Sequence, residues 1–171
     1  MTIIGIDPGS RLTGFGVIEK SGYQFRYLDH GVISIPLQLT FAERLAYLAK
    51  MLRPLWSKYP QSVTVVEKVF LGKNVDSAFK LGHARGVCLL VAAEHGSPVF
   101  EYASRSVKKS LTGNGGASKD QVQLMVQQFL QTKIQGLHDG TDALALAICH
   151  FYEWEKQAII QRLGRVPHSY P

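Results

Sequence analysis

Long apolar runs are missing from this chain of 171 residues; the two longest, 87–93 and 143–149, span seven residues each. A membrane-crossing helix needs about 20, so none is expected. Cysteine is scarce. Cys88 and Cys149 sit in separate apolar runs, with neither metal-ligand spacing nor a disulfide framework. They read as buried free thiols in a reducing compartment. The opening Met1-Thr2-Ile3-Ile4 lacks a basic n-region and a cleavage-like site, so no leader is expected and a cytoplasmic location is. Internal repeats, low-complexity tracts and linker-like runs are absent too. Apolar residues make up 46% and charged residues 19%, which excludes a disordered tail protein and a coiled coil. What remains is one domain, or at most two small ones, with enough chain to bury a core.

Acidic charge is in the minority, with 13 Asp and Glu against 19 Lys and Arg, for a formal net charge of +6. The excess is uneven. Residues 105–120 hold four basic groups and one acid, and 156–171 hold three basic groups and no acid. Between 139 and 155 the sign reverses, with four acids and no Lys or Arg. A basic surface around a local acidic pocket fits a polyanionic partner plus a bound cation. An ordinary basic enzyme fits it equally well.

Thr2–Asp7 reads as a buried central strand, followed by an Asp-Pro-Gly-Ser turn. Residues 14–19 and 23–35 read as two further strands of an antiparallel meander, joined at Ser21-Gly22. The period then changes. Phe41, Leu45, Leu48, Leu52 and Leu55 keep helical spacing behind a Thr40-x-x-Glu43 capping box, and Pro54 and Pro60 mark the end of that helix. A strand over 62–67, a helix over 75–94 and a strand over 98–102 come next. A short helix over 104–111 precedes the Gly-rich loop 112–117. Ser118-x-x-Gln121 caps another helix, a last helix spans 139–156, and 159–171 reads as a polar, frayed tail. Strands first, then strands alternating with helices, give one α/β domain with a mixed sheet.

Asp7 and Glu67 each close an apolar strand. If those strands are parallel neighbours, both carboxylates stand at the carboxyl edge of the sheet, where α/β sites form. Asp139 and Asp142 are three apart at a helix start and share a face. Singly, each has a plain structural role: Asp7 as a turn opener, Asp139 as an N-cap with Asp142 at N3. Together they are harder to dismiss. Two like charges about 4 Å apart repel by about 4 kcal/mol at an effective dielectric of 20, so a cluster of four stays ionised only around a cation. All-oxygen ligands point to Mg²⁺ or Mn²⁺. Two such ions about 3.5–4 Å apart can align a water and a leaving oxygen on a phosphodiester. No Ser–His–acid or Cys–His constellation competes.

Two Gly-rich stretches need separate readings. Residues 113–119 lack the second Gly before Lys of a Walker loop, and Gly14-Phe15-Gly16 lacks the third Gly of a dinucleotide fingerprint. The first reads instead as a mobile loop delivering Lys119 to a helix N-terminus, a favourable place for a phosphate. A solvated surface Lys is the alternative. On the helix Val75–Glu94, Ala78, Gly82 and Gly86 form a small-residue stripe flanked by Phe79, Val87 and Leu90. It serves either packing on its own sheet or close approach of a second copy.

Four blocks then occur in order: Gly5-Ile6-Asp7-Pro8-Gly9-Ser10-Arg11-Leu12-Thr13-Gly14-Phe15-Gly16, Glu67-Lys68-Val69-Phe70-Leu71-Gly72-Lys73-Asn74, Lys80-Leu81-Gly82-His83-Ala84-Arg85-Gly86 and Asp139-Gly140-Thr141-Asp142-Ala143-Leu144-Ala145. On these the chain, from Thr2 to about Tyr152, resembles the RuvC family of bacterial Holliday-junction resolvases. The first block is shared across ribonuclease-H-like proteins; all four at this spacing are specific.

The resemblance implies an α/β, ribonuclease-H-like fold, a five-stranded mixed sheet flanked by helices, over 1–157, with a polar basic tail over 158–171. It implies a homodimer acting as an endodeoxyribonuclease with Mg²⁺, or Mn²⁺ as substitute. Its substrate would be four-way DNA junctions in recombination and repair, beside the branch-migration proteins RuvA and RuvB. Paired nicks would leave 5′-phosphate and 3′-hydroxyl ends. Asp7, Glu67, Asp139 and Asp142 match the family's metal-binding carboxylates. Lys108 and Lys119 match its active-site basic residues, and Phe70 matches an aromatic at the junction. Lys73, Asn74 and Arg85 stand as further DNA contacts. Two features depart from the pattern: Lys68 stands after Glu67 where Gln is expected, and the chain after Tyr152 has no counterpart.

Three rivals remain in view. An actin-like kinase or ATPase also places phosphate chemistry after a first strand ending in Asp, but needs two similar domains. A related RNA-processing nuclease would lack the Phe70–Asn74 block. A silent DNA-binding module would be repelled from DNA by four acids.

Overall fold

Apolar residues alternate between two faces along each opening strand, and each face has its own layer of helices. The computed structural model describes residues 1–22, 24–68, 75–134, 138–162 and 164. Strands β1 (Thr2–Asp7), β2 (Leu12–Ser21) and β3 (Gln24–Ser34) form an antiparallel meander. The turn from β2 to β3 includes Gly22, in the left-handed region at φ 59°. Strands β4 (Val63–Lys68) and β5 (Val99–Ala103) add in parallel on the other side of β1. The sheet order is β3-β2-β1-β4-β5, the mixed sheet expected from the sequence.

Helices α1 (Phe41–Lys58) and α2 (Val75–Glu94) cover one face, over Ile4, Ile6, Val17 and Val66. Helices α3 (Ser104–Thr112), α4 (Lys119–Leu130) and α5 (His138–Arg162) cover the other, over Ile3, Ile18 and Val65. This two-sided cover explains the nearly continuous apolar sequence of β1 and β4. Helix α5 is buried almost all round between Gly140 and Phe151, where it lies between the sheet and the α3–α4 layer. That is why 143–149 is apolar without helical periodicity. Both cysteines are free and buried, with their thiols pushed up by burial to about 12 for Cys88 and about 11 for Cys149.

The structure corrects several boundaries. Pro54 lies inside α1, which ends at Lys58 ahead of Pro60. A proline here forfeits one backbone bond, but Leu55 and Trp56 are buried on the far side of it, and the Trp56 indole donates to Thr64 Oγ1 at 3.0 Å. Tertiary packing carries the helix through. Helix α5 begins at His138 and runs to Arg162, so 158–162, read from the sequence as the start of the tail, are helical. Asp139 therefore lies within the first turn of α5 and is not its N-cap. The small-residue stripe of α2 does not pack on its own sheet. The buried face is Ala84, Cys88, Val91 and Ala92, while a side chain at Gly82 or Gly86 would meet nothing within 4 Å. The Thr40–Glu43 and Ser118–Gln121 capping boxes are both present.

Candidate active site

The three parallel strands β1, β4 and β5 finish at one edge of the sheet, and a cleft of about 220 Å³ opens there. Its walls include Asp7, Glu67, Ser104, Lys108, Lys119 and Asp142. Asp7 and Glu67 come one residue after the paired Ile6 and Val66. They share the face of Ile3 and Val65, the face on which α5 lies. The first turn of α5 brings Asp139 and Asp142 over this edge. Carboxylate oxygens of Asp7, Asp139 and Asp142 all lie within 4.8 Å of one another. Glu67 lines the same cleft, close enough for its charge to act on Asp7.

That crowding has an electrostatic signature. The Asp7 carboxyl is raised from 3.8 to about 8, first by burial, then by the charge of Glu67 and their shared hydrogen bond, and then by Asp142 and Asp139. The protein alone thus compensates the cluster by holding a proton. A divalent cation does so without one, and an all-carboxylate donor set at this spacing suits a hard, oxygen-seeking ion. The residues present fit such an ion.

A stability prediction follows from the sign of the shift. Because the folded-state value lies above the unfolded one, Asp7's contribution is fully present below about pH 4 and is lost as pH rises through about 8. In EDTA, Asp7→Asn should therefore melt above the parent protein at pH 8, with the gap closing toward pH 5. Saturating Mg²⁺ should remove the gap by stabilising the parent alone. Melting curves at the two pH values, with a gap that did not widen at pH 8, would contradict the assignment.

Lys119 is the first residue of α4, and its ammonium donates to Asp142 Oδ2 at 3.0 Å. That contact raises its affinity for a proton, with help from Asp139 and Asp7. The loop ahead of it is tied by hydrogen bonds where the sequence suggested a mobile segment. Asn114 Oδ1 accepts from Gly116 N at 2.9 Å, and Thr112 Oγ1 accepts from Asn114 N at 3.1 Å. Gly113, left-handed at φ 75°, ends α3 by donating to the Lys109 carbonyl. Lys119 is thus presented by a built turn and a capped helix. Lys108, on α3, lines the same cleft.

Arg85 is placed differently. It projects from α2 into an ion pair with Glu101 of β5 and is not among the residues lining the cleft. Phe70, Lys73 and Asn74 lie outside the described residues. Ser104, which the sequence did not single out, lines the cleft. Its signal was available: it directly follows the fifth strand, at the edge where the other two parallel strands end in acids.

Comparison with known proteins adds to this geometry. The family model described as "Crossover junction endodeoxyribonuclease RuvC" matches residues 3–150. A protein of that name from Bdellovibrio bacteriovorus is 48% identical over 162 residues, covering 95% of this chain and 96% of its own. Another from Idiomarina loihiensis is 44% identical over 166 residues, covering 95% and 92%. Among solved structures, Thermus thermophilus RuvC in complex with a Holliday junction substrate superposes with a TM-score of 0.85 at 32% identity. That match covers 92% of this chain and 96% of the other. The Fowlpox virus resolvase, at 12% identity and TM-score 0.58, shares the fold.

Proposed function

The chain belongs to the RuvC family of crossover junction endodeoxyribonucleases, and from that premise we propose that it resolves four-way DNA junctions by paired, symmetric nicks. The observation that carries this reading is the convergence of Asp7, Asp139 and Asp142 within 4.8 Å at a sheet edge, with Lys119 beside them. Asp7, Glu67, Asp139 and Asp142 would hold the cations, two Mg²⁺ or Mn²⁺ per site. When bound, such ions activate a water and stabilise the leaving 3′-oxygen of the phosphodiester.

The chain's own residues do the rest. Asp7 would have to be ionised to hold a cation, so metal uptake would be favoured as pH rises. Lys119 moves from Asp142 toward the scissile phosphate, where it offsets charge that builds in the transition state. Lys108, across the cleft, contacts the same strand. Phe70, Lys73 and Asn74 would meet the junction centre, and Arg85, once released from Glu101, an arm. A second copy pairs through α2, and the protein acts with RuvA and RuvB in the cytoplasm. No helix among the described residues is long and apolar enough to cross a membrane.

The direct test offers the protein a synthetic four-way junction, a matched duplex and ATP, with and without Mg²⁺. Nicks in the junction alone, and only with Mg²⁺, are expected. ATP turnover, or duplex cleavage at the junction's rate, would favour a different enzyme. Within the site, Lys119→Ala should slow cleavage of bound junction by at least tenfold while affinity changes by less than threefold. Equal losses in both would make Lys119 a general phosphate contact.

A further inference from the structure

The Gly14-Phe15-Gly16 segment, which matches no nucleotide-binding fingerprint, lies against the helix turn that carries Asp139 of the carboxylate cluster. Gly14 is the antiparallel partner of Asp7, and Gly16 the partner of Gly5. Strand alternation puts Gly5, Asp7, Gly14 and Gly16 on the face of β1 and β2 that carries α5. At Gly5 and Gly14 the helix backbone rests on the strands with no side chain between, while at Gly16 the Leu144 side chain comes as close as its backbone. A Cβ at Gly14 would lie 2.0 Å from the Asp139 carbonyl oxygen and 2.4 Å from its carbon. One at Gly5 would lie 1.9 Å from the Ala143 carbonyl oxygen, and one at Gly16 2.7 Å from Leu144 N. The blocking atoms at Gly14 are all backbone, so no rotamer change can relieve them. Gly14 is not in the left-handed region, so its strand conformation would accept alanine. The obstacle is space alone.

We propose that Gly14 is a positioning residue for the cation site: its missing side chain seats the Asp139 backbone directly beside Asp7 and so sets the separation of the Asp7, Asp139 and Asp142 carboxylates. This rests on the cation reading of the cluster. A Cβ normally needs more than 3.0 Å from such atoms, so Gly14→Ala must lift the first turn of α5 by about 1 Å. Carboxylates fixed on that turn would rise with it. Cation binding at a multi-ligand site is steep in ligand position, because each oxygen must reach the ion at about 2.0–2.6 Å. Loss of affinity should therefore exceed anything expected from general destabilisation. Gly31 supplies the comparison. A Cβ there would meet only the Phe15 ring, at 2.8 Å, on the opposite face of the sheet. Gly31→Ala, on β3, presses its added carbon on the Phe15 ring of β2 and not on the α5 backbone.

The experiment is Mn²⁺ titration of the DNA-free protein at pH 8, read as loss of the free-ion electron spin resonance signal, with melting curves alongside. The parent protein should bind Mn²⁺. Gly14→Ala should bind at least tenfold more weakly and lose most of the Mn²⁺-induced rise in melting temperature. Gly31→Ala should stay within twofold of the parent, even if it melts earlier. If Gly14→Ala does not fold, Gly140→Ala decides. Its Cβ would press the first turn of α5 on the His30 ring at 3.0 Å and the Gly31 carbonyl at 3.3 Å, and affinity should fall two- to fivefold. A folded Gly14→Ala within twofold of the parent overturns the proposal, as does an unchanged Gly140→Ala when Gly14→Ala is not folded. Absence of Mn²⁺ binding by the parent itself would overturn the cation reading, and this proposal with it.

Discussion

Asp139→Asn should leave the protein able to bind a four-way junction and unable to nick it, and Asp7→Asn, Glu67→Gln and Asp142→Asn should do the same. The expected loss in nicking rate is at least a hundredfold for each, with junction affinity unchanged or tighter. The two effects have opposite signs for one reason. Cation chemistry needs the negative charge, whereas docking of a polyanion is opposed by it. Asp7, Asp139 and Asp142 converge within 4.8 Å, so removing any one withdraws an oxygen the others cannot replace. Glu67 lines the same cleft beside Asp7, and its amide would remove the charge it brings to the site. The measurement is single-turnover cleavage of a labelled junction beside a gel-shift titration in Ca²⁺. Two of the four variants nicking within threefold of the parent would end the assignment.

On the proposed pairing through α2, Gly82→Gln should turn the dimer into a monomer and uncouple the two proposed nicks. Resolution without a gap needs a cut in each of two equivalent strands, and the described residues of one chain hold one such carboxylate cluster. Two cuts in one binding event therefore require two subunits, most simply about a two-fold axis. The outer face of α2 suits that contact. Phe79 and Leu90 are 65% and 57% exposed, and the groove beside them is lined by Leu45, Ala78, Gly82 and Gly86. Open space surrounds Gly82 in the single chain, so the larger side chain should cost little stability while blocking a second backbone. A supercoiled cruciform plasmid should then give nicked circles in place of linear product. Sedimentation as an unchanged dimer, with linear product retained, would move the interface elsewhere.

Most of this site was legible in the sequence because its signals are local. A strand ending in an acid, a capping box and an Asp-x-x-Asp helix start can each be read within a few residues. The parallel pairing of β1 with β4, which brings Asp7 beside Glu67, was a condition that the sequence left open and the sheet meets. What the sequence did not yield depends on distant partners. Pro54 stays helical because Trp56 reaches Thr64. Arg85 is engaged by Glu101, sixteen residues on. Helix α5 continues to Arg162, past its buried stretch, where Lys20 of β2 bonds Glu155 at 3.0 Å. The close seating of α5 on Gly14 is invisible without coordinates, because a glycine in a strand looks the same whether it serves a bulge or makes room for another backbone.

The cluster draws Asp7 from the first strand and Asp139 and Asp142 from the last helix, with more than 130 residues of chain between them. On the ribosome, a growing chain can pair its first strands long before that helix emerges. Until α5 docks, it has two of the four acids of the proposed nuclease site. Completion of the core and acquisition of cutting power are then a single event. Truncated and half-folded copies, still basic enough to adhere to DNA, would be harmless to it.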